Sequence, residues 1–107
     1  MNDTQCLLWA TQMLILDPQD WCRGAYARDA AGGPVAPHAD HAVCWDATGA
    51  IVAASTLHDD RVRAAAHRTL LDAVRRKHGN GTVGKFNDTH SHSAVIRLFD
   101  DAIELAA

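Results

Sequence analysis

The run "DDRVRAAAHRTLLDAVRRKHGNG" constrains this chain more than any other stretch. Val62, Ala65, Ala66, Leu70, Ala73 and Val74 recur in it at three- and four-residue spacing, which is the period of one helix face. Asp59 or Asp60 stands at the positive end of such a helix. Arg75, Arg76, Lys77 and His78 stand at its negative end, so both sets complement the helix dipole. Gly79 supplies the stop. The pattern predicts a helix over 59–78 with one apolar face, which other elements must cover.

Three further helices are expected. "NDTQCLLWATQMLILD" predicts one over 3–16, with Asn2, Asp3 or Thr4 as cap. Its stripe is Leu7, Ala10 and Leu14, with Cys6, Trp9 and Met13 beside it. That apolar surface is wider than one stripe, so burial on more than one side is expected. Pro18 forces an exit, because the residue before proline avoids helical angles. "HADHAVCWDATGAIVAAS" predicts a helix over 40–56 with Asp40 as cap. Gly49 in mid-segment costs about 1 kcal/mol against alanine in an exposed helix, so it implies close approach by another backbone. "TVGKFND" reads as a short extended connector. A last helix follows over 91–106, capped by Thr89 or Ser91, with Val95, Leu98, Phe99, Ala102 and Ile103 inward. Between the first two helices, "CRGAYAR" shows no helical stripe. Gly32 and Gly33 supply a turn after it, and Pro34 and Pro37 exclude a helix beyond. This predicts a β-hairpin over 22–28 and 34–37. The expected fold class is mainly α (α+β): about four helices and a short hairpin in a single compact domain spanning 1–107. The tryptophans and thiols are expected to face one interior.

Totals narrow the function classes. Of 107 residues, 48% are apolar, which argues against global disorder. No run approaches the ~18 apolar residues needed to span a bilayer, so no membrane role is expected. The N-terminus lacks a basic region leading into an apolar core, and a cytoplasmic location follows by default. Cys6, Cys22 and Cys44 cannot all pair within one chain and form no C-x-x-C, so they read as buried reduced thiols. Net charge is −3, which argues against general nucleic-acid binding. Arg61, Arg63, Arg68, Arg75, Arg76 and Lys77 do cluster on the long helix. Asp72, three and four residues from Arg68, Arg75 and Arg76, is expected to neutralise part of that patch. No aromatic residues interleave it for base stacking, so it reads as a solvated face and no nucleic-acid partner is expected.

Three landmarks share an order along the chain: "WCRGAYARD" before a glycine turn, "AVCWDATGAI", and "KFNDTHSHSAVIRLFDDAIELA" at the end. Together they resemble a family of small uncharacterised bacterial and phage proteins, a domain of unknown function. Its pattern runs W-C-x-G-A-x-A-R-D, then a Cys-containing helix with a Gly-Ala pair, then an aromatic-Asn-Asp before a last helix ending in Asp-x-Ala-Ile. The resemblance spans most of residues 7–106. It implies a compact helical domain with a small β element and carries no activity with it. The histidine-rich "THSHS" is outside the pattern.

The chemistry-bearing residues form incomplete sets. His38, His41 and Cys44 lie close in sequence, and His90 and His92 form a second pair. Zinc takes four such ligands, or three and a water, but these spacings match no familiar zinc pattern. Zinc is therefore the one cofactor considered, against a reading of surface histidines and a core cysteine. Cys44 near a helix start, one turn after His41, and Cys22 beside Arg23 have the neighbours of a reactive thiol. No oxyanion donors are recognisable, so no catalytic residue is assigned. A ligand pocket between the hairpin and the Cys44 helix, formed by Cys22, Tyr26, Arg28, His41, Cys44 and Asp88, is the alternative reading. Arg28–Asp29 and Asn87–Asp88 have the character of structural anchors, with Arg28 bridging the hairpin to a carboxylate. The favoured reading is a non-enzymatic protein-interaction or accessory protein, a homodimer, related to phage or mobile elements. Trp9, Trp21, Trp45 and the apolar first helix exceed what a thin core hides, which points to a protein partner or self-association.

Overall fold

A computed structural model describes all residues, 1–107, and is mostly helical. Helix α1 spans Asp3–Leu14, α2 Ala47–Ala54, α3 Asp60–His78, α4 Val83–Thr89 and α5 His92–Leu105. Two short strands, β1 (Ala27–Arg28) and β2 (Cys44–Trp45), pair antiparallel, Ala27 with Trp45 and Arg28 with Cys44. The long helix and the last helix stand where their periodicity predicts. Asp59 caps α3 by accepting the Val62 N–H at 2.9 Å, and Gly79 ends it at φ 75°. Ser91 rather than Thr89 caps α5. The ion pairs of α3 are Arg63–Asp60 and Lys77–Asp101, at 2.7 and 2.9 Å, and not the expected ones to Asp72.

Three local expectations are corrected. The helix predicted over 40–56 begins at Ala47, and its cap is Asp46, not Asp40. Residues 43–46 spend their backbone groups on the ribbon instead: Val43 N–H donates to Arg28 O, and Asp46 N–H donates to Tyr26 O. Valine, cysteine and tryptophan suit that extended surface better than a helix interior. The ribbon's second strand is also displaced. Residues 34–37 contribute only an isolated bridge, Arg28 to Pro34, and β1 takes its regular partner from 44–45. Two prolines in four residues leave too few N–H donors there to extend a ladder. Finally, "TVGKFND" is helical. Thr82 accepts the Lys85 N–H at 3.1 Å and starts α4, an N-cap that Gly84 masks in the sequence.

The helices enclose a contiguous core that includes Leu7, Leu8, Ile15, Ile51, Leu70, Val95, Leu98 and Phe99. Amide side chains of α1 tie it to α5. Gln12 Nε2 donates to Ile96 O and Asp100 Oδ1, Gln5 Nε2 to Ile103 O, and Asn2 Nδ2 to Ala106 O. The tryptophans and thiols do not all face inward. Trp9 is 49% exposed and Cys6 is exposed, while Trp21, Trp45, Cys22 and Cys44 are half-buried. No helix is long and apolar enough to cross a membrane.

Candidate functional site

The polar residues of "WCRGAYARD" meet the ends of α2 and α4 at one buried junction. Its centre is Asn87, fully buried in the last turns of α4. Asn87 Oδ1 accepts the Trp21 indole N–H at 2.7 Å and the Ala47 backbone N–H at 3.0 Å. Its Nδ2 donates to Cys22 O at 3.0 Å and Asp88 Oδ1 at 3.2 Å. Ala47 opens α2, so Asn87 satisfies one of the N–H groups a helix start leaves free. Asp46 satisfies another by accepting the Gly49 N–H at 2.6 Å. Asp88 Oδ1 also accepts the Gly24 N–H at 3.1 Å, which fixes the turn where Gly24 takes φ 77°. The anchoring role read for Asn87–Asp88 therefore holds.

Two arginines complete the junction without an ion pair. The Arg28 guanidinium donates to Arg23 O and Gly32 O, at 3.0 and 2.9 Å. It closes the turn through carbonyls, so the expected bridge to a carboxylate is not formed. Arg23 lies over the Trp21 ring at 4.9 Å and donates to the carbonyls of Asn87 and His90. Asp29 accepts the N–H groups of Ala31 and Gly33 and holds the glycine turn.

Burial moves two acids at the junction. Desolvation raises Asp46 from the ordinary 3.8 to about 6; the nearby Asp88 charge adds to this, and the Gly49 N–H bond opposes it. Cys22 is pushed up to about 12, first by burial and then by the neighbouring Cys44 thiol. A thiol held protonated is a poor nucleophile. The raised carboxyl has a consequence for stability. Asp46 binds its proton more tightly in the folded chain than in the unfolded one. Its favourable contribution is thus complete below about pH 4 and is lost as pH rises through about 6. Asp46→Asn keeps an N-cap acceptor and removes the buried charge. Melting curves from about pH 4 to about pH 7 are expected to show wild type falling relative to Asp46→Asn, with the variant at least as stable at the upper end. A constant gap between the two across that range contradicts the buried-charge account.

The candidates of the pocket reading separate here. Cys22, Arg28, Cys44 and Asp88 are gathered at or beside the junction. Tyr26 is 60% exposed, and His41 is exposed with no hydrogen bond to either thiol. The gathered polar groups mostly serve backbone atoms and line none of the molecule's broader clefts. The five residues of the metal reading are likewise dispersed. His38 lines a cleft beside Pro37, and Cys44 faces Cys22. His90 stacks on Phe86, with ring centres 3.9 Å apart, and its Nδ1 contacts Phe86 O. His92 Nε2 contacts Ile15 O at 2.7 Å. No three His, Cys, Asp or Glu side chains form a ligand array. Sequence reasoning missed Asp46, whose signal was an acid three residues before a glycine at the head of a small-residue run.

The broadest cleft is elsewhere, an open volume of about 720 Å³. Met13 and Leu14 of α1, Pro37 and Ala42 of the segment before β2, Trp45 of β2 and Ala53 of α2 line it. Trp45 is held in place by its indole N–H, which donates to Pro37 O at 2.8 Å. Met13 also belongs to an outer face of α1 with Cys6 and Trp9, residues three and four apart. Leu16 continues that exposed apolar surface beyond the helix end.

Fold and site together define a small helical domain with a two-stranded ribbon, pinned by a buried polar junction and carrying an uncovered apolar face. The chain belongs to a family of unknown function, DUF6197, whose model matches residues 1–105. No curated protein and no solved structure matches it.

Proposed function

We propose that this domain acts by protein–protein contact, with a second copy of itself as partner. The observation that carries this reading is the double apolar character of α1. One face, with Leu7, Leu8 and Ile15 nearby, is buried in the core. The other presents Trp9 and Met13 to solvent beside the apolar cleft. Tryptophan and methionine are enriched where interfaces are driest, and tryptophan carries much of their energy. A ridge adjoining a groove on one molecule is self-complementary: a two-fold axis sets each ridge into the other copy's groove. A stable interface takes about 800 Å² from each partner, a modest share of the 5847 Å² surface. The polar junction supports a non-enzymatic role, because its hydrogen-bonding groups are spent on the fold.

Light scattering across a concentration series is expected to report a dimer for the wild type. The double variant Trp9→Ser, Met13→Ser is expected to be monomeric with unchanged circular dichroism, since both side chains are on the solvent side of α1. A wild-type monomer at every concentration rules out self-association as the mode of action.

A further inference from the structure

We propose that Cys22 and Cys44 form a redox-modifiable dithiol, which closes to an intrachain disulfide by exchange with a small disulfide such as glutathione disulfide. The ribbon brings the two residues together. Trp21 bridges Trp45, and the Cys22 N–H donates to Trp45 O at 3.0 Å. Cys22 and Cys44 flank that bridge, so their side chains leave the same face of the extended backbone. Each thiol is half-buried and within reach of solvent. The Cys44 thiol is close enough to act on that of Cys22, whose own Sγ–H donates to Ala25 O at 3.8 Å. Cys6, the third thiol, is exposed on α1, away from the ribbon.

The roles of the two sulfurs differ. The Cys22 thiol is engaged with its own turn, donating to Ala25 O, whereas Cys44 has no such bond, so Cys44 makes the first attack. Cys44 thiolate attacks one sulfur of glutathione disulfide and displaces glutathione thiolate. Cys22 then attacks the Cys44 sulfur of the mixed disulfide, displaces the second glutathione thiolate, and gives up its proton. The two protein thiols are oxidised by two electrons, glutathione disulfide is reduced, and the protons pass to the two released thiolates. The new bond ties the base of the segment between residues 22 and 44, which includes Pro37 and Ala42 of the apolar cleft's lining. It forms whether or not a second copy occupies that cleft.

The test uses the full chain carrying Cys6→Ser, reduced and then equilibrated with mixtures of oxidised and reduced glutathione. Free thiols are alkylated in denaturant, intact mass is measured and peptides are mapped. Both thiols are expected to disappear together, with a 22–44 linked peptide that excess reduced glutathione reverses. The linked form is expected to melt about 5 °C or more above the reduced form, as closing a loop of roughly 20 residues implies. Cys22→Ser is expected to stop at a glutathione adduct on Cys44. If that variant does not fold, the peptide map of the chain with both cysteines still decides. Glutathione adducts without a 22–44 link, a link that forms only in denaturant, or two thiols that stay free each overturn the proposal.

Discussion

Replacing Gly49 with alanine is expected to destabilise the protein by about 3 kcal/mol or more, lowering the melting temperature by roughly 10 °C. Helix propensity alone predicts the opposite sign, since alanine is favoured over glycine in a helix by about 1 kcal/mol. Packing reverses it. A Cβ at position 49 overlaps the Tyr26 carbonyl oxygen and stands 2.7 Å from its carbonyl carbon. Asp46 Oδ1 stands 3.1 Å away. The Tyr26 carbonyl cannot easily withdraw. It accepts the Asp46 N–H at 3.2 Å, and the next residue, Ala27, is buried and paired with Trp45. The alanine variant must therefore lift the ribbon from α2 or shift the helix. Urea unfolding of both proteins measures the effect. A variant as stable as wild type means that the ribbon does not sit on α2 as described.

Gly49 also shows what the sequence makes legible. A glycine inside an otherwise helical run has a propensity cost, and that cost alone pointed to a second backbone close by. Which backbone it was depended on the long-range pairing of 27–28 with 44–45, which no local pattern encodes. Periodicity located α3 and α5 because each has a single apolar face over three or more turns. It misplaced the start of α2, because the apolar run "AVCW" leads almost directly into the helix and its backbone groups are claimed by the ribbon. It passed over α4, which is only seven residues long and contains Gly84. Local turn chemistry also made the anchoring roles of Asp29 and Asp88 legible. The rank of Asn87 was not, because its partners Trp21, Cys22 and Ala47 are 40 or more residues away in sequence. The candidate pocket was half legible: four of its six residues are gathered at or beside the junction, mostly serving backbone atoms, while Tyr26 and His41 are exposed.

Asn87 is where a second large effect is expected. Its oxygen faces two N–H donors and its nitrogen faces two acceptors, so only one orientation of the amide pairs all four groups. Asn87→Leu fills nearly the same volume but leaves the Trp21 indole N–H, the first N–H of α2 and the Cys22 carbonyl without this partner. Each buried group stranded in this way costs about 1–3 kcal/mol, so a loss of roughly 4 kcal/mol is expected. That is a large part of the 5–15 kcal/mol typical of a folded domain, as a rough guide. Asn87→Asp separates polarity from shape. It keeps an acceptor for both N–H groups but loses the donors to Cys22 O and Asp88, and it sets a third carboxyl beside Asp46 and Asp88. Burial and those charges favour the protonated form of the new carboxyl. Its folded-state pKa is then raised, so the aspartate variant is expected to be weakest near neutral pH and to recover as pH falls. Urea unfolding of both variants at about pH 5 and about pH 7 measures these effects. A leucine variant within about 1 kcal/mol of wild type would mean that water reaches these groups and the junction is not dry. An aspartate variant insensitive to pH would mean that its neighbours do not share one electrostatic site.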